Sequence, residues 1–168
     1  ASSGAPQIRL LGSGAILREV MAAATMLKND WGIEVEVWSV TSFSELARDA
    51  RETQRWNRLH PTAPRRVSFV SQCLSGDTPI VAASDYVSAY PSLIASFVDA
   101  PFVALGTDGF GRSDTRATLR RFFEVDKQHV VIAALQSAAD AGKATYETVA
   151  AAIQRYEVQV HDAAPWTR

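Results

Sequence analysis

Two hydrophobic periods alternate along this chain. The run QIRLLGSG predicts a strand over Ile8–Leu11. Ile16, Val20, Ala24, Leu27 and Trp31 follow at helical spacing, on one face, and Gly32 ends the helix. IEVEVWSV predicts a second strand, with Val35, Val37 and Ser39 opposed to Glu34, Glu36 and Trp38. SFSELARDARETQRWNRLH predicts a helix capped by Ser42 or Ser44. PTAPRR, residues 61–66, is loop-like. A short helix through Phe69, Val70 and Cys73 then closes at Gly76. PIVAAS predicts a third strand. YVSAYPSLIASF predicts a helix that starts at Pro91 or kinks there. PFVAL predicts a fourth strand. Three helical pieces complete the pattern: Thr115–Phe123, one capped by Asp126 and running to Gly142, and one from Thr145 to about Tyr156. In the last, Tyr146, Val149, Ile153 and Tyr156 form the apolar stripe. EVQV, residues 157–160, predicts a closing strand.

Strands alternating with helices imply an α/β fold, a three-layer α/β/α arrangement around a mixed, mostly parallel sheet of about five strands. Residues 7–160 are expected to form one domain. ASSGAP, residues 1–6, reads as a linker or cloning scar, and HDAAPWTR, residues 161–168, as a loose tail.

Composition narrows the function. The 168 residues are 47% hydrophobic and 21% charged, enough apolar material for a substantial core. The net charge of -1 argues against nonspecific nucleic-acid binding, which needs surplus cations to neutralise phosphates. No apolar run approaches the roughly 20 residues of a membrane span. No secretory leader is evident at the N-terminus. A single Cys73 excludes an internal disulfide, and three scattered histidines (His60, His129, His161) do not make a zinc cluster.

The candidate motifs are weak one by one. GSGAIL, residues 12–17, begins like a dinucleotide fingerprint, but Leu17 stands where the third glycine belongs. It reads as a tight strand-to-helix turn, with weak anion binding as the alternative. AGKAT fails as a phosphate loop because Ser137 replaces the required leading glycine. Gly142 instead ends one helix before Thr145 caps the next. Cys73 lies on an apolar stripe without a neighbouring base, as a structural thiol does. The arginine pairs in RRVSF and LRRFF read as solvated or carboxylate-paired. GTDGFGRSDTR, residues 106–116, is different. Its aspartates lack calcium-loop spacing. SDT supplies helix-capping chemistry. Gly-Phe-Gly can push Phe110 outward. The segment follows a strand, at the edge where α/β folds work. It reads as a contact loop with Asp108, Phe110, Arg112, Asp114 and Arg116 as candidates, Phe110 as anchor and the arginines available to carboxylates.

Three strings are more specific than α/β punctuation: VWSVTSFSELARDARETQRWNRLHP, SFVSQCLSGDTPIVAASDYVSAY and LGTDGFGRSDTRATLRRFFEVD. Over roughly residues 7–157 the chain resembles the C-terminal domain of the homodimeric, bacterial pyruvate dehydrogenase E1 component, a relative of transketolase. The resemblance implies a transketolase C-terminal-like sheet, usually five-stranded with one antiparallel strand. It implies a parent enzyme using thiamine diphosphate and Mg²⁺ to decarboxylate pyruvate and reductively acetylate the lipoyl groups of E2 dihydrolipoyl acetyltransferase. In that family the cofactor lies between two other domains, of opposite subunits. The implied partners are the other E1 domains, a second E1 subunit and E2, in the bacterial cytoplasm, without nucleic acid or membrane. The chain lacks the family's diphosphate signature and its activating glutamate segment, so no catalytic, cofactor or metal residue is expected here, and the domain is expected to be inactive alone. A different class of function is a free-standing α/β ligand- or protein-binding module using the Gly12–Gly14 and Gly106–Arg116 loops. A small independent enzyme ranks last, since no nucleophile–base pair emerges.

Overall fold

The computed structural model describes residues 5–160 and 163–167. Four strands form one sheet: β1 (Ile8–Gly12), β2 (Val35–Ser39), β3 (Ile80–Ala83) and β4 (Phe102–Leu105), in the order β2-β1-β3-β4. All pairs are parallel, with Ile8 opposite Val35, Arg9 opposite Ile80 and Ile80 opposite Phe102. The central strands β1 and β3 are apolar on both sides apart from Arg9, as a doubly covered parallel sheet requires.

Side-chain alternation divides two cores. Ile8, Leu10, Val81 and Ala83 face α1 (Leu17–Trp31), α5 (Lys127–Asp140) and α6 (Tyr146–Arg155). Leu11, Ile80 and Ala82 face α2 (Phe43–Leu59), α3 (Phe69–Cys73) and a 3-10 helix over Pro91–Phe97. The three layers are thus built from the chain's own helices.

Local chemistry sets the element ends. Gly32 adopts φ 67° and closes α1. Ser42, Ser68, Asp126 and Thr145 each accept a backbone N–H at a helix start. Pro91 occupies the first turn of its helix, where its missing N–H costs nothing. Half-buried Cys73 packs beside the second core.

Two expectations fail. Among the described residues there is no fifth strand, and none of the four is antiparallel. EVQV does not extend because its first residues close α6: Glu157 turns left-handed at φ 51°, and the Val158 amide donates back to Ile153 O at 3.1 Å. β2 has the unequal faces its alternation implies, with Val37 39% exposed while Trp38 packs on the second core. The expected linker and tail fall partly outside the described residues, as does His161. Within the tail, Pro165–Thr167 form a 3-10 turn and Pro165 is buried.

Candidate functional site

The carboxyl ends of β1, β3 and β4 bring three loops together. Strand order reverses between β1 and β3, the switch point where α/β sheets open a crevice. Gly12 and Gly14 lie in the first loop. A Cβ on Gly12 would come within 2.9 Å of Leu17 Cα, so that glycine serves the close approach of α1. At Gly14, with φ 54°, the Asp85 carboxylate oxygens stand 3.1 Å from where a Cβ would be. A carboxylate thus occupies the mouth of the turn, which disfavours an anion there.

The loop from Gly106 to Thr115 is fastened at its base and free at its tip. Gly106 lies so close to the next loop that a Cβ would overlap Ser88, with Ser88 Cα and Tyr86 O both at 2.6 Å. The Thr107 amide donates to Tyr86 O at 2.9 Å and its hydroxyl to Asp85 O at 3.1 Å. Asp108 turns inward, and its Oδ1 accepts the Ser88 amide at 3.0 Å. Gly109, at φ 111°, faces the tail, 2.9 Å from Pro165 O measured to an added Cβ. Beyond it residues 109–118 are all exposed. Phe110 is 82% exposed, and Trp166, whose backbone abuts Gly109, is 61% exposed.

The helix that follows, α4 (Arg116–Phe122), is capped by Thr115, whose hydroxyl accepts the Thr118 amide; Asp114 Oδ1 accepts the Thr115 amide at 2.6 Å. No residue of α4 is buried. Its main tethers are ionic. Arg120 donates to Glu19 Oε1 at 2.7 Å, and the other oxygen of Glu19 accepts the Lys127 amide at 3.0 Å. Clefts of about 560 and 610 Å³ flank the helix. The Arg112 guanidinium lies 4.3 Å from the centre of the Phe122 ring.

Of the five sequence candidates, Phe110, Arg112, Asp114 and Arg116 are all exposed, while Asp108 braces the loop from within. Sequence reasoning missed Glu19, Asp85 and Trp166. Glu19 lies 101 residues from its partner Arg120, and no local pattern marks such a pair.

Several other ionisable groups form structural pairs. His129, which has no evident partner in sequence, places Nδ1 2.7 Å from Asp126 Oδ1. Burial pushes the Asp126 carboxyl upward in pKa, but the hydrogen bonds from the His129 ring and amide, with the charges of His129 and Arg121, outweigh it and hold the group below its usual value. Tyr156 donates to Asp30 at 2.8 Å and accepts the Trp31 indole N–H at 2.9 Å. Among the described residues no three His, Cys, Asp or Glu side chains converge as metal ligands.

Residues 1–126 match the family described as the transketolase-like C-terminal domain. The chain belongs to that family. Among curated proteins this transketolase-like domain is 51% identical to the pyruvate dehydrogenase E1 component of Cupriavidus necator, over 94% of the chain and 18% of that protein. It is 50% identical to the Pseudomonas aeruginosa protein of the same name, over 92% and 18%. For the Escherichia coli K12 protein the identity is 44%, over 95% and 18%. The domain thus spans about a fifth of the length of the relatives it matches. Among solved structures, transketolase from Leishmania mexicana superposes with a TM-score of 0.53 at 21% identity, over 80% of this chain and 17% of that one, a likeness of fold.

Proposed function

We propose that this chain is the C-terminal organising domain of a cytoplasmic, homodimeric pyruvate dehydrogenase E1 component. That enzyme would use thiamine diphosphate and Mg²⁺ to decarboxylate pyruvate and acetylate the lipoyl groups of E2 dihydrolipoyl acetyltransferase. The observation that carries this reading is 51% identity along 94% of the chain to a protein of that name. The residues in hand do not fit the cofactor. The glycine turn after β1 is faced by the Asp85 carboxylate, and no metal-binding cluster is present among the described residues. On this reading catalysis belongs to the part of the enzyme outside this chain, and the role here is to organise it.

The exposed loop and α4 form the contact surface for the rest of the E1 assembly. In the loop before a helix with no buried residue, Phe110 is a large aromatic left for another body to cover. Phe110 is the anchor, with Arg112, Asp114 and Arg116 around it, while Asp108 holds the loop in shape. Two experiments test this. Incubated with pyruvate, thiamine diphosphate, Mg²⁺ and an electron acceptor, the chain alone gives no turnover; measurable decarboxylation overturns the assignment. In the full-length enzyme Phe110→Ala weakens assembly in sedimentation while leaving the domain's unfolding midpoint nearly unchanged. Unaltered assembly refutes the docking role.

A further inference from the structure

The cleft of about 560 Å³ on the inner side of α4 has the size of a ligand site and lies at the sheet's switch point. Its walls come from three places in the chain: Ala15 and Ile16 after β1, Asp85 after β3, and the loop and helix after β4. Arg112 in the loop, and Arg116 and Arg120 one turn apart on α4, supply guanidinium groups to the cleft. Arg120 is already satisfied by Glu19. Among the described residues Arg112 and Arg116 have no carboxylate partner. Asp85 is the opposing charge, and Leu119 and Phe123 add apolar lining.

We propose that this cleft binds a small phosphate ester that also carries hydroxyl groups. Arg112 and Arg116 take the phosphate, since a guanidinium matches its oxygens in bidentate fashion. Stacking on Phe122 limits the freedom of the Arg112 head before any ligand arrives. The Asp85 carboxylate repels an anion from its end and accepts from a hydroxyl there. The two ends therefore set one orientation of the ligand. This goes beyond the docking reading: Arg112 and Arg116 belong to both, but Phe110, the docking anchor, does not line the cleft and Asp85 is not part of the docking face, so substitutions at Phe110 and Asp85 separate the two.

The test is a titration of the isotopically labelled 168-residue chain, whose sheet is covered on both faces by its own helices, followed by amide chemical shifts. The probes are glycerol 3-phosphate, inorganic phosphate and glycerol. Glycerol 3-phosphate gives saturable shifts at Ser13–Ala15 and Gly109–Leu119 and binds about tenfold more tightly than inorganic phosphate. Glycerol gives none. Arg116→Ala weakens both phosphate probes about tenfold or more. Asp85→Asn lowers glycerol 3-phosphate to the level of inorganic phosphate and does not weaken the latter. Arg112→Ala provides the same reading should Arg116→Ala disturb the spectrum globally. Absence of saturable shifts overturns the proposal. So does equal binding of the two phosphates with no effect of Asp85→Asn, the behaviour of a bare cationic patch, or shifts spread over the exposed arginines of α2. Loss of assembly in Phe110→Ala with binding retained separates this site from the docking surface, whereas loss of phosphate-ester binding in Phe110→Ala counts against the cleft as described.

Discussion

Gly106→Ala is the sharpest perturbation available at the exposed loop. The new methyl group meets main-chain atoms: Ser88 N, Ser88 Cα and Tyr86 O. No side-chain rotation relieves this, so one of two loops must move. Overpacking of this kind costs about 1–3 kcal/mol, and rigid backbone neighbours place it at the upper end. Separating the loops also strains two hydrogen bonds, Thr107 N to Tyr86 O and Ser88 N to Asp108 Oδ1, at about 1 kcal/mol each. Alanine returns about 0.4–1 kcal/mol by reducing the freedom of the unfolded chain. The net expectation is a loss of about 4–5 kcal/mol, or a fall in Tm of about 8–20 °C for a domain of this size. Gly111→Ala is the matched control. Nothing lies within 4 Å of its added Cβ, and its φ is not left-handed. It should leave stability unchanged or slightly raised. Urea unfolding of both variants measures the difference. A loss below about 1 kcal/mol for Gly106→Ala, or equal losses for the two, would show that the loops are not locked together as described.

Three further outcomes follow from the packing. The folded pKa of Asp126 is depressed, so its contribution to stability is present above the unfolded value of about 3.9 and disappears as pH falls through the folded value. Asp126→Asn keeps a capping side chain, so its urea midpoint should decline less than wild type on acidification below about pH 4; parallel declines would remove Asp126 from the acid response. Tyr156→Phe leaves the Trp31 indole N–H without its acceptor and should cost about 1–2 kcal/mol in urea unfolding, and a neutral result would mean that water replaces the phenol. Glu157→Gly relieves a left-handed residue at φ 51° and should raise Tm by about 1–2 °C after the entropic cost of glycine; calorimetry that shows a lower Tm would mean that the glutamate side chain holds the turn.

The sequence was most informative where structure is local. Caps at Ser42, Asp126 and Thr145, the glycine stop at Gly32 and the proline start at Pro91 follow from backbone chemistry within a few residues. The four strands were legible because each is a short apolar run between turn signals. EVQV failed because alternation alone cannot tell a strand from the closing turn of a helix. The candidate surface was half legible. Phe110 between two glycines reads outward, and it is outward. Asp108 reads equally polar, yet it turns inward because Ser88, 20 residues earlier, presents an unpaired amide. Its one local hint is Gly106, since glycine at a strand end often marks close backbone approach. Asp85 facing Gly14 and Glu19 holding Arg120 are fixed by topology and leave no mark on periodicity.

The position of β1 in the sheet governs how the chain assembles. β1 is synthesised first but sits in the interior, between β2 and β3. Its partner β2 begins at Val35, whereas β3 begins only at Ile80. At about 5–20 residues per second, several seconds separate the emergence of the two partners from the ribosome. During that interval Leu10 and Leu11 lie in a strand with one open side, a template for any other extended chain. Closing it early brings little entropic advantage, because ring size enters the closure cost only logarithmically. Until β3 emerges, β1 can have only β2 as a sheet partner, and its other edge is open to a misassociation that the finished domain does not offer.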